Sequence, residues 1–312
     1  MTVIGSSGLE VFPLGLGGNT FGWTSDQETS FAVLDAYIAG GGNFIDTADS
    51  YSAWVPGHSG GESETIIGEW TAARGNRDVV VIATKVSSHP QFRGLSAKNV
   101  LAAADASLTR LQTDHVDLYY AHYDDPNVPV AETAGAFHEL QQAGKIRYVG
   151  LSNYTASRLR EWFAAAKEAG FAPPVALQPH YNLVERTRYE SELAPVAAEF
   201  GLGVFPYYAL ASGFLAGKYR SATDHLDAAR QKGAARYLTP TGLAVLAALD
   251  EISAAHGVAP ATVAIAWLRT RPGVVAPLAS ASRVDQLGAL LASATLELTP
   301  EDIEALDEAS AG

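Results

Sequence analysis

Residues 78–84, DVVVIAT, carry the chain's plainest strand signal: a β-branched run too short for a helix. Upstream lies a second short apolar run, NFID (43–46). Between the two, ESETIIGEWTAAR (62–74) has the length of a helix. A strand, a helix and a strand in that order imply parallel strands joined by a crossover. The pattern continues outward on both sides. Thr2–Phe12 reads as a polar hairpin turning at Ser7-Gly8, and Pro13–Leu16 as the first strand. A helix over 27–40 closes in the glycines 40–42, a C-cap signal. Downstream, strands at 116–120, 146–151, 175–178, 204–207 and 274–276 alternate with helices near 96–110, 131–143, 155–169, 189–200, 240–256 and 260–270. Helices at 283–292 and 300–309 close the chain.

Strand–helix units following one another without a break in composition predict one closed (β/α)8 TIM barrel. This is an α/β fold with an N-terminal β-hairpin and extra C-terminal helices, occupying 1–312 as a single domain. A doubly wound open sheet is the alternative, but no GxGxxG follows an early strand; Gly15-Leu16-Gly17-Gly18 falls short of it. The least regular stretch, 212–239, is expected to be a mobile surface loop.

Composition narrows the function. A formal charge of −13 speaks against a nucleic-acid partner, which needs a concentrated basic face. It leaves room for a small anion held by a few cations and a helix N-terminus. No run of about 18 apolar residues is present, so no membrane span is expected. The opening MTVIGSSGLEVF lacks the basic and apolar regions of a secretory signal. There is no cysteine, which excludes disulfides and thiol catalysis and fits a cytoplasmic, soluble protein. His58 and His89 have no second ligand at metal-binding spacing, so no metal is expected. The oligomeric state stays open.

Barrels of this kind carry their chemistry at the C-terminal ends of the strands. The polar residues there are Asp46 with Tyr51 after strand two, Lys85 after strand three, and His122 after strand four. Ser152 and Asn153 follow strand five, Gln178 ends strand six, Tyr207 ends strand seven, and Ser280–Arg283 follow strand eight. Asp46, Tyr51, Lys85 and His122 suit carbonyl reduction, which needs a hydride and then a proton on oxygen. Tyr51 can supply the proton, its pKa drawn from about 10 toward the working range by a lysine ammonium. Asp46 would hold that lysine charged, and His122 would orient the carbonyl oxygen.

The same residues stand in longer motifs: IDTADSY (45–51), GGESETIIGEW (60–70), VVIATKV (80–86), DLYYAHYDDP (117–126), GKIRYVGLSNY (144–154), QPHYNLVER (178–186), LASGFLAGKY (210–219) and PLASASRVDQL (277–287). In these, and in their order, the chain resembles the aldo-keto reductase family, in the subgroup of bacterial reductases and potassium-channel β-like proteins. The resemblance implies an NADP(H)-dependent oxidoreductase acting on a small-molecule carbonyl substrate, with Asp46, Tyr51, Lys85 and His122 as its catalytic tetrad. It implies that Ser152, Asn153 and Gln178 hold the nicotinamide carboxamide and that Tyr207 stacks on its ring. The 210–218 segment (Leu210, Ser212, Gly213, Leu215 and Lys218) would pass over the pyrophosphate. Ser282 and Arg283 would meet the adenosine 2′-phosphate, with Gln286 near the adenine. Gly18, Asn19, Thr20, Asp46 and Ser280 are expected to border the same cofactor. Trp23, Trp54 and Tyr123, with Tyr51 and His122, would line the substrate pocket. Tyr123 stands where many relatives carry tryptophan, Tyr208-Ala209 where Ser-Pro is common, and Leu290 where an asparagine often contacts adenine.

Plainer readings compete. Asp46 could be a helix N-cap or an Asx-turn residue, and Ser152 or Asn153 could cap the next helix. Tyr51, Trp23, Trp54 and Tyr123 could simply pack a loop, Lys85 could be solvated, and His122 could be a satisfied buried histidine. Asp124-Asp125 reads as a turn feature rather than an acid/base pair. A cofactor-binding sensor acting through a protein partner is the rival function.

Overall fold

A computed structural model describes residues 1–220 and 233–311. Eight parallel strands form its centre: β3 (Gly15–Gly17), β4 (Phe44–Asp46), β5 (Val81–Val86), β8 (Val116–Ala121), β9 (Ile146–Ser152), β10 (Ala176–Gln178), β11 (Gly203–Val204) and β12 (Leu278–Ala279). Each pairs with the next, and β12 pairs with β3 (Leu278 with Gly15, Ala279 with Leu16). The last gap is closed by Val204 N donating to Gly273 O, Val275 N to Val204 O and Leu278 N to Pro206 O, each at 2.9 Å. The sheet is therefore a closed (β/α)8 barrel, as the sequence predicts.

The eighth strand is displaced from the expected 274–276. Val274 bridges to Val204 on one side, while Leu278–Ala279 pair with β3 on the other. Barrel strands are staggered, so one strand meets its two neighbours at different residues. Pro277, which has no N–H, divides the two ladders but still accepts from Gly15 N at 2.9 Å. The third strand also starts later than expected, at Val81. Arg77–Val79 is a 3-10 turn, and pairing begins where β4 offers Phe44 to Val81.

Helices α1 (Gln27–Ala39), α2 (Glu62–Arg74), α3 (Ala97–Leu111), α4 (Val130–Gln142), α5 (Ala156–Ala169) and α6 (Ala194–Glu199) follow the strands, and Pro240–His256 and Pro260–Arg269 lie between β11 and β12. Most begin at or within a residue or two of the expected position. The helix expected from 189 opens as a π-helical turn, Tyr189–Leu193, before α6, and where a side chain caps a start the signal is local. Asp26 accepts from Thr29 N (2.9 Å) at α1, and Thr299 and Asp302 form a reciprocal capping box on Pro300–Ala309. Among the described residues no single helix is long and apolar enough to cross a membrane. The irregular stretch expected over 212–239 falls partly outside the described residues. Its start, 211–216, is a pair of tight turns broken by left-handed backbone at Ser212 and Gly213.

Strand parity sorts the side chains. Phe44, Ala83, Tyr120 and Ala176 point into the barrel and join one apolar cluster, whereas Ile45, Ile82, Tyr119 and Leu177 face the helices. The N-terminal hairpin, β1 (Thr2–Val3) with β2 (Glu10–Val11), brings Ile4, Leu9 and Val11 into that interior cluster and so plugs the lower mouth, and a second small hairpin, β6 (Ser88–His89) with β7 (Phe92–Arg93), follows β5. Two residues beyond each inward residue the same parity puts Asp46, Lys85, His122 and Gln178 at the upper mouth.

Candidate active site

The floor of the upper mouth is a buried ion pair. Lys85 is fully buried, and its Nζ donates to Asp46 Oδ2 (2.7 Å), Thr47 O (2.6 Å) and Tyr51 Oη (3.0 Å). An ammonium has three hydrogens, and all three are used. Gln178 Nε2 donates to the other carboxylate oxygen, Asp46 Oδ1, at 2.8 Å. Asp46 thus serves neither as a helix cap nor as an Asx-turn. Because Lys85 donates to Tyr51 Oη, the phenolic proton has to point elsewhere, and the His122 ring lies 6.3 Å from the Tyr51 ring.

Neighbouring strand ends lock this arrangement. Ser152 Oγ donates to Gln178 O (2.9 Å), and Asn153 Nδ2 donates to His122 O (2.9 Å) and Ser152 Oγ (3.1 Å). Tyr207 Oη donates to Asn153 Oδ1 at 2.7 Å. Asn153 has a left-handed backbone (φ 57°), which asparagine tolerates better than most residues. The cap of α5 is Thr155, whose hydroxyl accepts from Arg158 N, so Ser152 and Asn153 are not its caps. Arg158 also grips Asp124 through Nε (2.7 Å) and Nη2 (2.8 Å), and Asp125 accepts from Leu95 N and Asn127 N. That pair is a turn anchor, as expected.

The electrostatics correct one expectation. Burial, reinforced by Asp46, Tyr123 and Tyr208, holds the Tyr51 phenol well above its ordinary value, not below it. Lys85 is too strongly tied to Asp46 to pull the phenol down, and the site is too dry to favour a phenolate. Burial lowers Lys85 against the pull of Asp46, and burial and then Lys85 push His122 well below the usual imidazole value. The site therefore offers a protonated phenol beside a neutral imidazole.

A further layer lies behind β5, outside the sequence-derived set. Glu64 is fully buried, accepting from Thr84 Oγ1 (2.5 Å) and Arg110 Nε (2.6 Å). Asp49 is buried nearby, and burial and then Glu64 hold its carboxyl well above the usual range. Both acids sit inside the quoted motifs, but nothing in their spacing marks them as buried.

The other expected positions cluster on two sides. Thr20 Oγ1 donates to Ala281 O (3.1 Å), the Ser280 hydroxyl donates to Asn19, and Ser282 N donates to Gln286 Oε1 (2.8 Å). Arg283 lies at the exposed edge of this group and pairs with Asp285 at 3.0 Å. A Cβ on Gly18 would come 2.8 Å from Ser63 Oγ, so the chain passes closely there only as glycine. In the segment after β11, Ala211, Ser212 and Gly213 have successive positive φ values of 48°, 60° and 93°. Within it Ala211 N donates to Tyr208 O (2.7 Å) and Gly213 N to Leu210 O (2.8 Å), so these two amides are used inside the turn. The Leu215 side chain is fully buried among the helices, so only its backbone can meet a ligand; Lys218 is exposed. Trp23 and Trp54 meet edge-to-face at 5.6 Å, Trp54 lies 6.2 Å from Tyr51, and Tyr123 packs on His122 at 4.7 Å.

Residues 13–311 match the model of the Aldo/keto reductase family. The chain belongs to this family. It is 35% identical to Protein tas of Escherichia coli, over 97% of this chain and 95% of that protein. It is 31% identical to norsolorinic acid reductase B of Aspergillus parasiticus, over 97% and 82% of the two chains. It is 33% identical to a probable voltage-gated potassium channel subunit beta of rice, over 91% and 88%. Membership of this family places the chain among the oxidoreductases.

Proposed function

We propose that the protein reduces aldehyde or ketone carbonyls to alcohols with NADPH. The observation that carries this reading is the committed geometry of Lys85: with its three hydrogens on Asp46, Thr47 and Tyr51, the Tyr51 proton is left for a substrate oxygen.

The residues present fit a nicotinamide dinucleotide. Ser152, Asn153, Gln178 and Tyr207 offer amide, hydroxyl and aromatic groups around one end of the mouth. The 210–218 segment, with the Ser212 hydroxyl and the exposed Lys218 ammonium, would pass over a pyrophosphate. Arg283, with Ser282, offers a cation and a hydroxyl to a 2′-phosphate. Gly18, Asn19, Thr20, Ser280 and Gln286 would border the same ligand. When bound, such a cofactor supplies or accepts a hydride. The protein's own work is to place and polarise the carbonyl. His122, kept neutral, donates a hydrogen bond to the oxygen. Tyr51, kept protonated, delivers its proton there. Lys85 steadies the phenolate left behind, and Asp46, held by Gln178, anchors Lys85. Trp23, Trp54 and Tyr123 form the walls.

Similarity to a channel subunit keeps one rival in view: a barrel that binds the cofactor and signals through a partner. Mixing the protein with NADPH, and in parallel NADH, plus a panel of reactive aldehydes and diketones separates the two. Nicotinamide oxidation faster with NADPH, and abolished by Tyr51→Phe, supports the reductase. Tight NADPH binding without turnover of any carbonyl overturns it in favour of the sensor.

A further inference from the structure

Among the described residues, the exposed aromatic side chains are Trp54 (51% exposed), Tyr123 (50%) and Tyr208 (51%). All three stand at the mouth around Tyr51. Trp54 lies 6.2 Å from the Tyr51 ring, and Tyr123 packs on His122. Tyr208 meets both Tyr207 and His180 edge-on at 5.3 Å. Burying aromatic rings is strongly favourable, so concentrating the exposed ones at one opening calls for an occupant.

Tyr208 is also held in a costly conformation. Its backbone is left-handed (φ 54°), a region that bulky residues avoid. Its carbonyl accepts from Asn182 Nδ2 (2.9 Å) and Ala211 N (2.7 Å), so the surrounding chain enforces that shape. Glycine would adopt it without strain. A tyrosine kept there, in an otherwise solvent-facing position, points to a use for its ring.

We infer that Trp54, Tyr123 and Tyr208 form an aromatic slot that selects flat, aryl carbonyl compounds over saturated ones of equal size, with Tyr208 as the residue that determines this preference. The inference rests on the reductase reading above. The reaction is ordinary in its balance. A hydride from the reduced nicotinamide adds to the aryl carbonyl carbon, and the Tyr51 proton goes to the oxygen. The nicotinamide is oxidised, the aryl alcohol leaves, and Tyr51 recovers a proton from solvent. The slot acts by stacking and edge contacts with the aryl plane, which a puckered saturated ring cannot match. An aryl aldehyde is conjugated and intrinsically less electrophilic than its saturated analogue, so an aryl preference has to come from the protein.

The test compares kcat/KM with NADPH for 2-naphthaldehyde and its fully saturated analogue, in the unaltered protein, Tyr208→Gly, Tyr208→Phe and Tyr123→Leu. The expected aryl-to-saturated ratio is about tenfold or more in the unaltered protein. Each lost ring should lower it by roughly two- to tenfold, mainly through KM, and Tyr208→Phe should keep it. Tyr208→Gly suits the left-handed backbone, and a thermal melt checks that it folds. Turnover of both aldehydes with a ratio near one, or a ratio unmoved by Tyr208→Gly, overturns the slot and leaves the reductase standing. No turnover of either aldehyde overturns the slot, and the reductase reading falls with it only if the wider panel of aldehydes and diketones is also left unreduced.

Discussion

Lys85 donates to Tyr51 across 3.0 Å, so the phenol oxygen is an acceptor from below and its proton is directed away from the barrel. The direction of that hydrogen bond decides which residue can act as the acid. Lys85 has no hydrogen left for a substrate, and His122 is held neutral.

Tyr51→Phe removes the proton donor and leaves the ion pair beneath it intact. Carbonyl reduction should fall by about a hundred- to ten-thousandfold, the usual worth of a positioned acid. NADPH affinity, followed by fluorescence titration, should change little. Retention of full turnover would show that another group protonates the product.

The Asp46–Lys85 pair should matter to stability as well as to catalysis. Lys85→Met strands a buried carboxylate, which costs about 3–5 kcal/mol. Adding Asp46→Asn removes the stranded charge and should recover part of that loss. Urea unfolding of the two variants gives the comparison; equal midpoints would contradict it.

Catalysis should be flat in pH where free side chains would titrate. An acid whose pKa is raised stays protonated past its ordinary value, so kcat/KM for reduction should not decline up to about pH 10, the ordinary tyrosine value. A base whose pKa is lowered stays neutral below its ordinary value, so no limb attributable to His122 should appear near pH 6.5. A bell centred between those values would show that the site is wetter than its geometry implies.

His180 predicts a stability change on the acid side. Burial, and then Arg236 and Arg188, lower its pKa to about 4 from an ordinary 6.5. In the window between those values the unfolded chain binds a proton that the folded one refuses. The contribution is complete above about pH 6.5 and is lost as pH falls toward 4. After allowance for partial exposure it amounts to about 2 kcal/mol. His180→Gln should flatten that part of the pH–melting curve.

Asp285 competes with any bound 2′-phosphate for Arg283. Arg283→Ala should weaken NADPH about ten- to hundredfold while leaving NADH nearly unchanged, the range for a charge-assisted contact. Asp285→Ala frees the guanidinium from its 3.0 Å partner and should strengthen NADPH. Equal losses for both cofactors would remove Arg283 from the phosphate site.

Much of the barrel is legible before any coordinates, because strand parity is local. The alternation Phe44/Asp46, Ala83/Lys85, Tyr120/His122 and Ala176/Gln178 places four polar groups at one end of one interior. Any chain that closes these strands in register brings them together. Helix starts at Asp26, Thr155 and Thr299 are equally local, since a cap reaches only three residues ahead.

Other features depend on partners far along the chain. Asp46 meets Gln178 across 132 positions, and the split pairing of the eighth strand around Pro277 follows from barrel stagger. The raised Tyr51 and lowered His122 values sum burial over many strands and cannot be read from IDTADSY or AHYDDP alone. Tyr208 is the clearest case. Its sequence position marks it only as a departure from a common Ser-Pro. Its left-handed backbone and its exposure beside Tyr51 arise with a local turn bond from Ala211 N and a second bond to its carbonyl from Asn182, 26 positions away, which forms only in the closed barrel.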